Sequence, residues 1–249
     1  MWGIIPAAGM GSRIQPLAFS KELLPVGSDV SGGQERPRAV SEYLIERMLL
    51  AGAEKLCFVI SPGKSDIVNY FGGQAQSAKI FYAVQPRPSG LCDAIFRAVA
   101  LIHPDEHVCI GLPDTVWFPK NALSALPNGV LSLLLFPVDR PENFDAVVTD
   151  PRDEVIEVQV KKANASTKWV WGAMKMPGLV LHELYRLWLD RNDEYLGTLF
   201  NEFMVRGGRI CGFKTGRAYV DTGTLNGYRE ALRILDANSL AASSIGPDH

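Results

Sequence analysis

The first half of the chain alternates short apolar runs with amphipathic stretches, and this alternation limits the folds that are open to it. Four apolar runs have the length of strands, at residues 2–6, 56–60, 80–84 and 108–112. Residues 38–51 carry apolar side chains at helical spacing, and residues 94–102 also have a helical pattern. Strands that alternate with helices form βαβ units. We therefore predict an α/β fold with a mixed, mostly parallel central sheet flanked by helices.

The second half contains more predicted strands, and nothing in it marks a second domain. The pattern predicts strands at residues 130–136, 146–149, 155–160, 170–176 and 209–213, and helices at residues 180–191, 199–206 and 225–235. We interpret residues 28–35 as a polar, glycine-containing loop and residues 237–249 as a flexible tail. Without an internal repeat or a clear linker, residues 1–236 are predicted to form one domain.

Composition argues against several classes of function. Hydrophobic residues make up 47% and charged residues 21% of the 249 residues, which is ordinary for a globular protein. The formal net charge of -2 argues against a general affinity for nucleic acid, which needs a basic surface. No apolar segment has the length of a membrane span, and the first residues lack the pattern of a signal peptide, so we expect a cytoplasmic protein. The cysteines are too far apart in sequence for a zinc knuckle or a redox pair.

A glycine-rich turn follows the first predicted strand and is the strongest local signal. It reads PAAGMGSR over residues 6–13. Small residues let the backbone approach a ligand closely, and successive N–H groups in such a turn form a concavity that binds anions. The turn lacks the lysine of a P-loop, and Ile14 takes the place of the third glycine of a dinucleotide fingerprint. Taken alone, it fits a phosphate site and a plain strand-to-helix turn equally well.

Two basic residues strengthen the interpretation as a phosphate site. Arg13 ends the turn and carries a guanidinium suited to phosphate oxygens. Lys21 opens the segment KELLPV, and a lysine at this distance can fold back onto the same phosphates. By itself, Lys21 would be interpreted as a solvated surface lysine.

The two segments together resemble the opening signature of the sugar-nucleotide pyrophosphorylase family. These sugar-1-phosphate nucleotidyltransferases include glucose-1-phosphate thymidylyltransferases and uridylyltransferases. Their signature, GxGxR followed by K[EQ]LLP, corresponds to residues 9–13 and 21–25. Further similarities follow in order at residues 84–91 (VQPRPSGL), 112–114 (LPD), 193–201 and 219–224 (YVDTGT). The resemblance spans roughly residues 3–235 and implies a Rossmann-like, GT-A-like nucleotidyltransferase fold.

The resemblance also implies a reaction and the residues that handle the nucleotide. A sugar 1-phosphate would attack the α-phosphorus of a nucleoside triphosphate in line and release pyrophosphate. Arg13 and Lys21 are the implied catalytic residues. The implied nucleotide-binding residues are Ala7, Ala8, Gly9, Gly11, Ser12, Arg13, Gln85 and Gly90. Gln85 and Gly90 correspond to the residues that contact the base, and an amide that both donates and accepts suits thymine or uracil.

Asp114 and Asp221 are the implied ligands of a Mg²⁺ cofactor. Asp114 follows an apolar strand, at the edge where open α/β sheets bind ligands, and Asp221 lies in a comparable strand-end turn. Two carboxylates can share one Mg²⁺ that also binds phosphate oxygens. From the residues alone, both aspartates would be interpreted as turn formers.

The part of the sequence that would contact the sugar departs from the family pattern. The resemblance assigns to the sugar phosphate Ala146, Val160, Lys161, Gly172 and Glu194. Val160 stands where glucose-using enzymes have a glutamate, and Ala146 aligns with a glycine that usually lies near the sugar. Lys161 either contacts the phosphate of the sugar or forms a solvated pair with its neighbour. Glucose 1-phosphate is therefore expected to be a poor substrate.

A shift of the alignment by one or two residues would change this expectation. Glu157 or Gln159 would then stand in for the missing glutamate. The sequence does not distinguish the two alignments.

Three functions are compatible with these observations. The first is an active nucleotidyltransferase that uses dTTP or UTP and an unusual sugar 1-phosphate. The second is a catalytically inactive, regulatory homologue that binds nucleotide or sugar phosphate. The presence of Arg13, Lys21, Asp114 and Asp221 favours catalysis, because binding alone would not require all four. A transferase with a nucleoside-activated sugar as donor is disfavoured, since it has no reason to retain the Lys21 segment. The sequence leaves the sugar, the base and the oligomeric state open, a homo-oligomer included.

Overall fold

The apolar runs and amphipathic segments become strands and helices in the computed structural model, which describes residues 1–31 and 33–243. In chain order the strands are β1 Trp2–Pro6, β2 Pro25–Ser31, β3 Gln34–Ala39, β4 Lys55–Ile60, β5 Gln74–Ala75, β6 Ala78–Val84, β7 His107–Gly111, β8 Thr115–Phe118, β9 Leu131–Pro137, β10 Asp145–Thr149, β11 Val155–Val160, β12 Trp169–Pro177, β13 Ile210–Phe213 and β14 Ala218–Asp221. The helices are α1 Val40–Leu50, α2 Ser65–Phe71, α3 Gly90–Phe96, α4 Gly178–Arg191, α5 Leu196–Val205 and α6 Leu225–Ser243.

Ten of the described strands form one mixed sheet. Its order is β11-β10-β12-β7-β1-β4-β6-β5, and β9 pairs with both β12 and β13. The central strands β7, β1, β4 and β6 run parallel, as expected of βαβ units, whereas β12 runs antiparallel to β7 and to β9. Every residue of β1 is buried, because a central parallel strand is covered on both faces. The predicted α/β class is confirmed.

Helices cover both faces of this sheet. On one face, α1 contributes Leu44 and Met48 to a buried cluster. On the other face, α3, α4 and α5 contribute Ile95, Leu184 and Phe200. Burial of each such side chain stabilises the fold by about 1.5–3 kcal/mol. The loops at the edges of the sheet are therefore carried on a firmly packed layer.

A second, two-stranded sheet joins distant parts of the chain. β8 and β14 pair antiparallel, with Thr115 opposite Asp221. Arg47 of α1, only 1% exposed, donates to the Trp117 carbonyl oxygen through Nε at 3.1 Å and Nη2 at 2.6 Å. It also donates to the Tyr43 carbonyl oxygen at 2.7 Å, and burial lowers its pKa to about 10. Arg47 therefore attaches this small sheet to the helix.

Residues 28–35, predicted to be a polar loop, belong largely to a β-hairpin. β2 and β3 pair antiparallel, with Asp29 opposite Arg36. The two side chains form an ion pair at 3.6 Å, and Ser28 Oγ donates to Glu35 Oε1 at 2.5 Å. The loop prediction was wrong because polar cross-strand pairs support this hairpin, without the apolar alternation that usually indicates a strand.

The last helix is longer than predicted. α6 runs Leu225–Ser243, whereas the pattern placed its end at residue 235 and a flexible tail from residue 237. The rest of that predicted tail, residues 244–249, lies outside the described residues. Among the helices of the described part, α6 included, none combines the length and the apolar character needed to cross a membrane.

Candidate active site

A cleft of about 630 Å³ opens at the carboxyl ends of the central parallel strands. Pro6 ends β1, Gln85 directly follows β6 and Leu112 directly follows β7, and all three line the cleft. Open α/β sheets bind their ligands at this edge. The predicted site residues that line the cleft are Ala8, Gly9, Arg13, Lys21, Gln85, Gly90, Asp114, Lys161 and Asp221.

The other predicted site residues do not line the cleft. Several of them contact residues that line it. Ala7 and Ala146 are fully buried, and Ser12 and Glu194 are exposed. Gly172 packs beneath a cleft residue, because a Cβ at this position would lie 2.5 Å from the ring of Tyr219. Val160 is half-buried beside Lys161.

Gly11 is the last of the predicted site residues that do not line the cleft. It lets Lys21 fold back against the glycine-rich turn. Its φ of 63° is left-handed, and a Cβ at this position would lie 2.8 Å from Lys21 Cδ. A larger residue would be strained here and would push the lysine aside. The turn and the lysine therefore form one structural unit.

Lys21 and Asp114 form an ion pair within the cleft. Lys21 Nζ lies 2.5 Å from Asp114 Oδ2, and the two side chains are 15% and 11% exposed. Burial alone would lower the pKa of Lys21, but the charge and hydrogen bond of Asp114, with smaller contributions from Glu22 and Asp221, raise it above its ordinary value. The lysine is therefore charged at neutral pH.

A more deeply buried ion pair lies next to Lys21. Lys64 Nζ donates to both carboxylate oxygens of Glu22, at 2.8 and 2.7 Å, and Glu22 is only 1% exposed. Burial raises the pKa of Glu22 and lowers the pKa of Lys64, in each case against the attraction of the partner. Because Glu22 follows Lys21 directly, this pair fixes the short helical turn that carries the lysine.

The Asp221 carboxylate connects the glycine-rich turn to the end of β14. Arg13 Nη2 donates to Asp221 Oδ2 at 3.0 Å, and Gly223 N donates to Asp221 Oδ1 at 2.7 Å. Thr222 N and Oγ1 both donate to the Asp114 carbonyl oxygen, at 2.8 and 2.9 Å. A Cβ on Gly223 would lie 2.7 Å from Asp221 Oδ1 and 3.3 Å from Asp114 Oδ2. The two carboxylates therefore converge on one point.

At this point, the carboxylates of Asp114 and Asp221 could both bind one cation. In the described part of the chain, no group of three or more His, Cys, Asp or Glu side chains could hold a metal ion. Mg²⁺ commonly binds through one or two carboxylates together with water and substrate phosphates. The arrangement therefore fits a divalent cation that arrives with a phosphate ligand.

Gln85 has its amide nitrogen fully engaged inside the protein. The residue is 4% exposed, and Nε2 donates to the Gly90 carbonyl oxygen at 3.0 Å and to Asp93 Oδ2 at 2.7 Å. Both partners are acceptors, so they fix the orientation of the amide and leave its carbonyl oxygen for a ligand. Gly90 has a φ of 87° and packs against Glu194, which a Cβ would approach to 2.7 Å.

The two lysines after β11 have different surroundings. Lys161 lines the cleft, its N–H donates to the Phe144 carbonyl oxygen at 3.1 Å, and its Nζ lies 4.3 Å from the centre of the Tyr195 ring. Lys162 has a side chain that is 53% exposed and approaches Glu157 at 3.7 Å. Of the two, only Lys161 lines the cleft.

The register of β10 and β11 shows which residues face away from Val160. Ala146 lies opposite Gln159, on the other face of the strand pair from Val160. Gln159 Nε2 donates to Glu157 Oε2 at 2.7 Å and to Ser166 Oγ at 2.9 Å. Glu157 and Gln159 therefore project from the opposite face of β11 to Val160.

Residues 2–238 match the protein family described as nucleotidyl transferase, which is almost the whole chain. The chain belongs to the nucleotidyl transferase family. This finding confirms the resemblance seen in the sequence.

Named relatives of this nucleotidyl transferase act on sugar phosphates. It is 25% identical over 247 residues to the glucose-1-phosphate thymidylyltransferase of Neisseria meningitidis, covering 94% of this chain and 82% of the relative. It is 24% identical over 218 residues to the UTP–glucose-1-phosphate uridylyltransferase AglF of Haloferax volcanii, covering 84% of this chain and 85% of the relative.

Solved structures confirm the predicted fold of this nucleotidyl transferase. UTP-bound UGPase from Acinetobacter baumannii superposes with a TM-score of 0.75 at 18% identity, over 94% of this chain and 92% of that one. UDP-glucose pyrophosphorylase complexed with UDP-glucose gives a TM-score of 0.78 at 17% identity, over 95% of this chain and 98% of that one.

The sequence did not identify one residue of this nucleotidyl transferase that supports its site, Lys64, which pairs with Glu22 beside Lys21. Lys64 lies in the turn SPGK, where glycine and proline signal only a loop.

Proposed function

We propose that the protein joins dTTP or UTP to a sugar 1-phosphate and releases pyrophosphate. One observation carries this proposal: the ion pairs Lys21–Asp114 and Arg13–Asp221 converge beside the glycine-rich turn, in the cleft at the carboxyl edge of the sheet. Phosphoryl transfer needs positioned cations for the phosphates and carboxylates for a metal ion, and these four residues offer both. The thymidylyl- and uridylyltransferase names of the relatives support the same reaction.

The charges of these four residues balance one another in the absence of substrates. Two phosphorylated substrates would bring several negative charges, more than Arg13 and Lys21 can neutralise. Mg²⁺ held by Asp114 and Asp221 would supply the missing positive charge and polarise phosphate oxygens.

The residues of the chain would then position the reacting groups. The glycine-rich turn and the largely exposed Arg13 would hold the triphosphate through N–H groups and the guanidinium. Lys21, charged and largely buried, would stabilise the negative charge that develops around the α-phosphorus. An oxygen of the sugar phosphate forms the new P–O bond while the bond to pyrophosphate breaks. Lys161, on the cleft wall, would bind the phosphate of the sugar.

Gln85 supports a pyrimidine that carries a ring N–H. Its amide nitrogen is engaged by Gly90 and Asp93, so its carbonyl oxygen would accept a hydrogen bond from the base. Thymine and uracil present such an N–H, whereas adenine and cytosine present an acceptor at the corresponding ring nitrogen. An acceptor facing an acceptor costs about 1–3 kcal/mol, which favours dTTP and UTP.

The direct test is pyrophosphate release with Mg²⁺ over a panel of nucleoside triphosphates and sugar 1-phosphates. Release with dTTP or UTP and at least one sugar 1-phosphate supports the proposal. Nucleotide binding without release for any pair would instead identify the inactive, regulatory homologue. Release of a nucleoside diphosphate from a nucleoside-activated sugar and an acceptor, without pyrophosphate release from these pairs, would contradict both.

A further inference from the structure

A buried carboxylate lies behind Gln85 and belongs to neither of the ion pairs proposed to handle the phosphates. Asp93, on α3, is buried, and its Oδ2 accepts the hydrogen bond from Gln85 Nε2 at 2.7 Å. The backbone of Gln85 is held as well, because its N–H donates to the Ile60 carbonyl oxygen at 2.9 Å. The freedom that remains to this buried side chain is rotation of its terminal amide, which exchanges oxygen and nitrogen.

Arg97, which directly follows α3, fixes the carboxylate of Asp93. Its Nη2 donates to Asp93 Oδ1 at 2.7 Å, and its Nε donates to Asp93 Oδ2 at 3.3 Å. A carboxylate that a guanidinium engages through two N–H groups is held in one plane. The oxygen that meets Gln85 therefore has a fixed position.

The other end of the Gln85 amide is open to the cleft. Among the described residues no group donates to Gln85 Oε1, and this oxygen is not one of the side-chain atoms that are buried without a partner. It is therefore accessible, and Gln85 lines the cleft. A rotated amide would place Oε1 against two acceptors, the Gly90 carbonyl oxygen and Asp93 Oδ2. Because neither acceptor could then form its hydrogen bond, the amide stays in one orientation.

We infer that Asp93 is a positioning residue that sets the base preference of the protein, because it holds Gln85 so that only an acceptor faces the base. The inference rests on the proposed function, because it concerns the nucleotide of that reaction. Uracil and cytosine have the same size and differ in one ring edge, where uracil presents an N–H and cytosine a ring nitrogen that accepts. In its fixed orientation Gln85 accepts from uracil and repels cytosine. Asp93 therefore disfavours cytidine nucleotides without touching them.

The test compares nucleotides that differ only in this edge. The Kd of UTP and CTP, and of dUTP and dCTP, is determined by calorimetry with Mg²⁺ for the wild type, Asp93→Ala and Asp93→Asn. The wild type should bind the uracil member of each pair more tightly. Asp93→Ala leaves only Gly90 to oppose rotation of the amide, and Asp93→Asn offers Gln85 a donor in place of the fixed acceptor. Both variants should therefore reduce the preference about 10-fold. The exposed Asp190→Asn, on α4, is the matched control and should keep it.

A double variant separates positioning of Gln85 from general support of the fold. In a Gln85→Ala background, Asp93→Asn should change the preference no further, because its effect passes through the Gln85 amide. Equal weakening of uracil and cytosine nucleotides by the Asp93 variants would overturn the inference. A loss of preference that Asp93→Asn still causes in the absence of Gln85 would overturn it as well.

The outcomes also separate this inference from the proposed function. A wild-type preference for uracil that both Asp93 variants keep would refute the inference alone. An Asp93-dependent preference without pyrophosphate release for any sugar 1-phosphate would support the inference and refute the proposed reaction. If the wild type bound uracil and cytosine nucleotides equally well, the inference and the base preference in the proposed function would both fail.

Discussion

Lys21 Nζ meets the Asp114 carboxylate at 2.5 Å, although 93 positions separate the two residues in sequence. The lysine comes from the short helical turn after the glycine-rich segment, and the aspartate lies between β7 and β8. Because both side chains are largely buried, neither charge is well solvated by water. Each therefore pairs with the other until an anion or a cation enters the cleft. This relationship allows separate tests of the two residues.

Lys21→Ala is expected to lower kcat by about 100-fold or more and to change KM for the nucleotide much less. A charge directed at the reacting phosphorus acts mainly in the transition state. Steady-state kinetics of pyrophosphate release measures both constants. The exposed Lys79→Ala is the control and should leave them unchanged. A rise in KM with unchanged kcat would show that Lys21 only binds substrate.

Asp114→Asn and Asp221→Asn are each expected to reduce turnover to near background, because an amide replaces a charged ligand of Mg²⁺. A chelator should have the same effect on the wild type, and added Mg²⁺ should reverse it. Pyrophosphate release measures both effects, with the exposed Asp105→Asn as the control. Full turnover of both variants, or of the wild type in chelator, would contradict a carboxylate-bound metal.

Gln85→Ala is expected to reduce the preference for dTTP or UTP over ATP by roughly 5- to 150-fold, because the variant loses the acceptor for the ring N–H. The quantity to compare is the ratio of kcat/KM values for the two nucleotides. Gln74→Ala changes an exposed glutamine and should leave the ratio unchanged. Equal rates with purine and pyrimidine nucleotides in the wild type would remove the basis of this prediction.

Glucose 1-phosphate is expected to be a poor substrate of the wild type. Val160 cannot accept a hydrogen bond, and the loss of one acceptor costs about 1–3 kcal/mol. The variant Val160→Glu introduces an acceptor at the end of β11 and should raise kcat/KM for glucose 1-phosphate. Efficient use of glucose 1-phosphate by the wild type would refute the expectation.

Lys64→Met is expected to destabilise the fold by about 3–5 kcal/mol, because it leaves the Glu22 carboxylate buried without a partner. Urea unfolding measures this loss. Replacement of both partners by Glu22→Leu and Lys64→Met should cost less than Lys64→Met alone. If the double variant were less stable than the single one, the pair would be a net source of stability instead.

The parts of the fold that the sequence predicted are those with local patterns. β1 is a continuous buried run, and α1 repeats apolar residues at helical spacing, so neighbouring residues suffice to identify each. β8 and β14 have four residues each and exist through a pairing that spans about a hundred residues, which no local window contains. The polar hairpin of β2 and β3 was missed because its pairing rests on charges and hydroxyl groups.

The candidate site shows the same difference between local motifs and long-range pairing. Arg13 and Lys21 belong to a short segment whose motif is specific, and both line the cleft. The sugar side depends on strand register, where a change of one position moves a side chain to the other face. Ala146 and Val160, which the sequence assigned to one subsite, lie on opposite faces of the strand pair.

The hydrogen bonds of Arg47 limit the motions of one side of the cleft. Its guanidinium holds the Trp117 carbonyl oxygen in the middle of β8, while its own helix is packed against the sheet. The strand that starts beside Asp114 therefore separates from α1 only when the interior of the protein opens. Amide protons of β8 should exchange with solvent as slowly as those of β1, whereas those around the exposed Met10 should exchange within the native state. The aspartate side of the cleft would act as a fixed platform, and closure around a bound nucleotide would come from the glycine-rich turn.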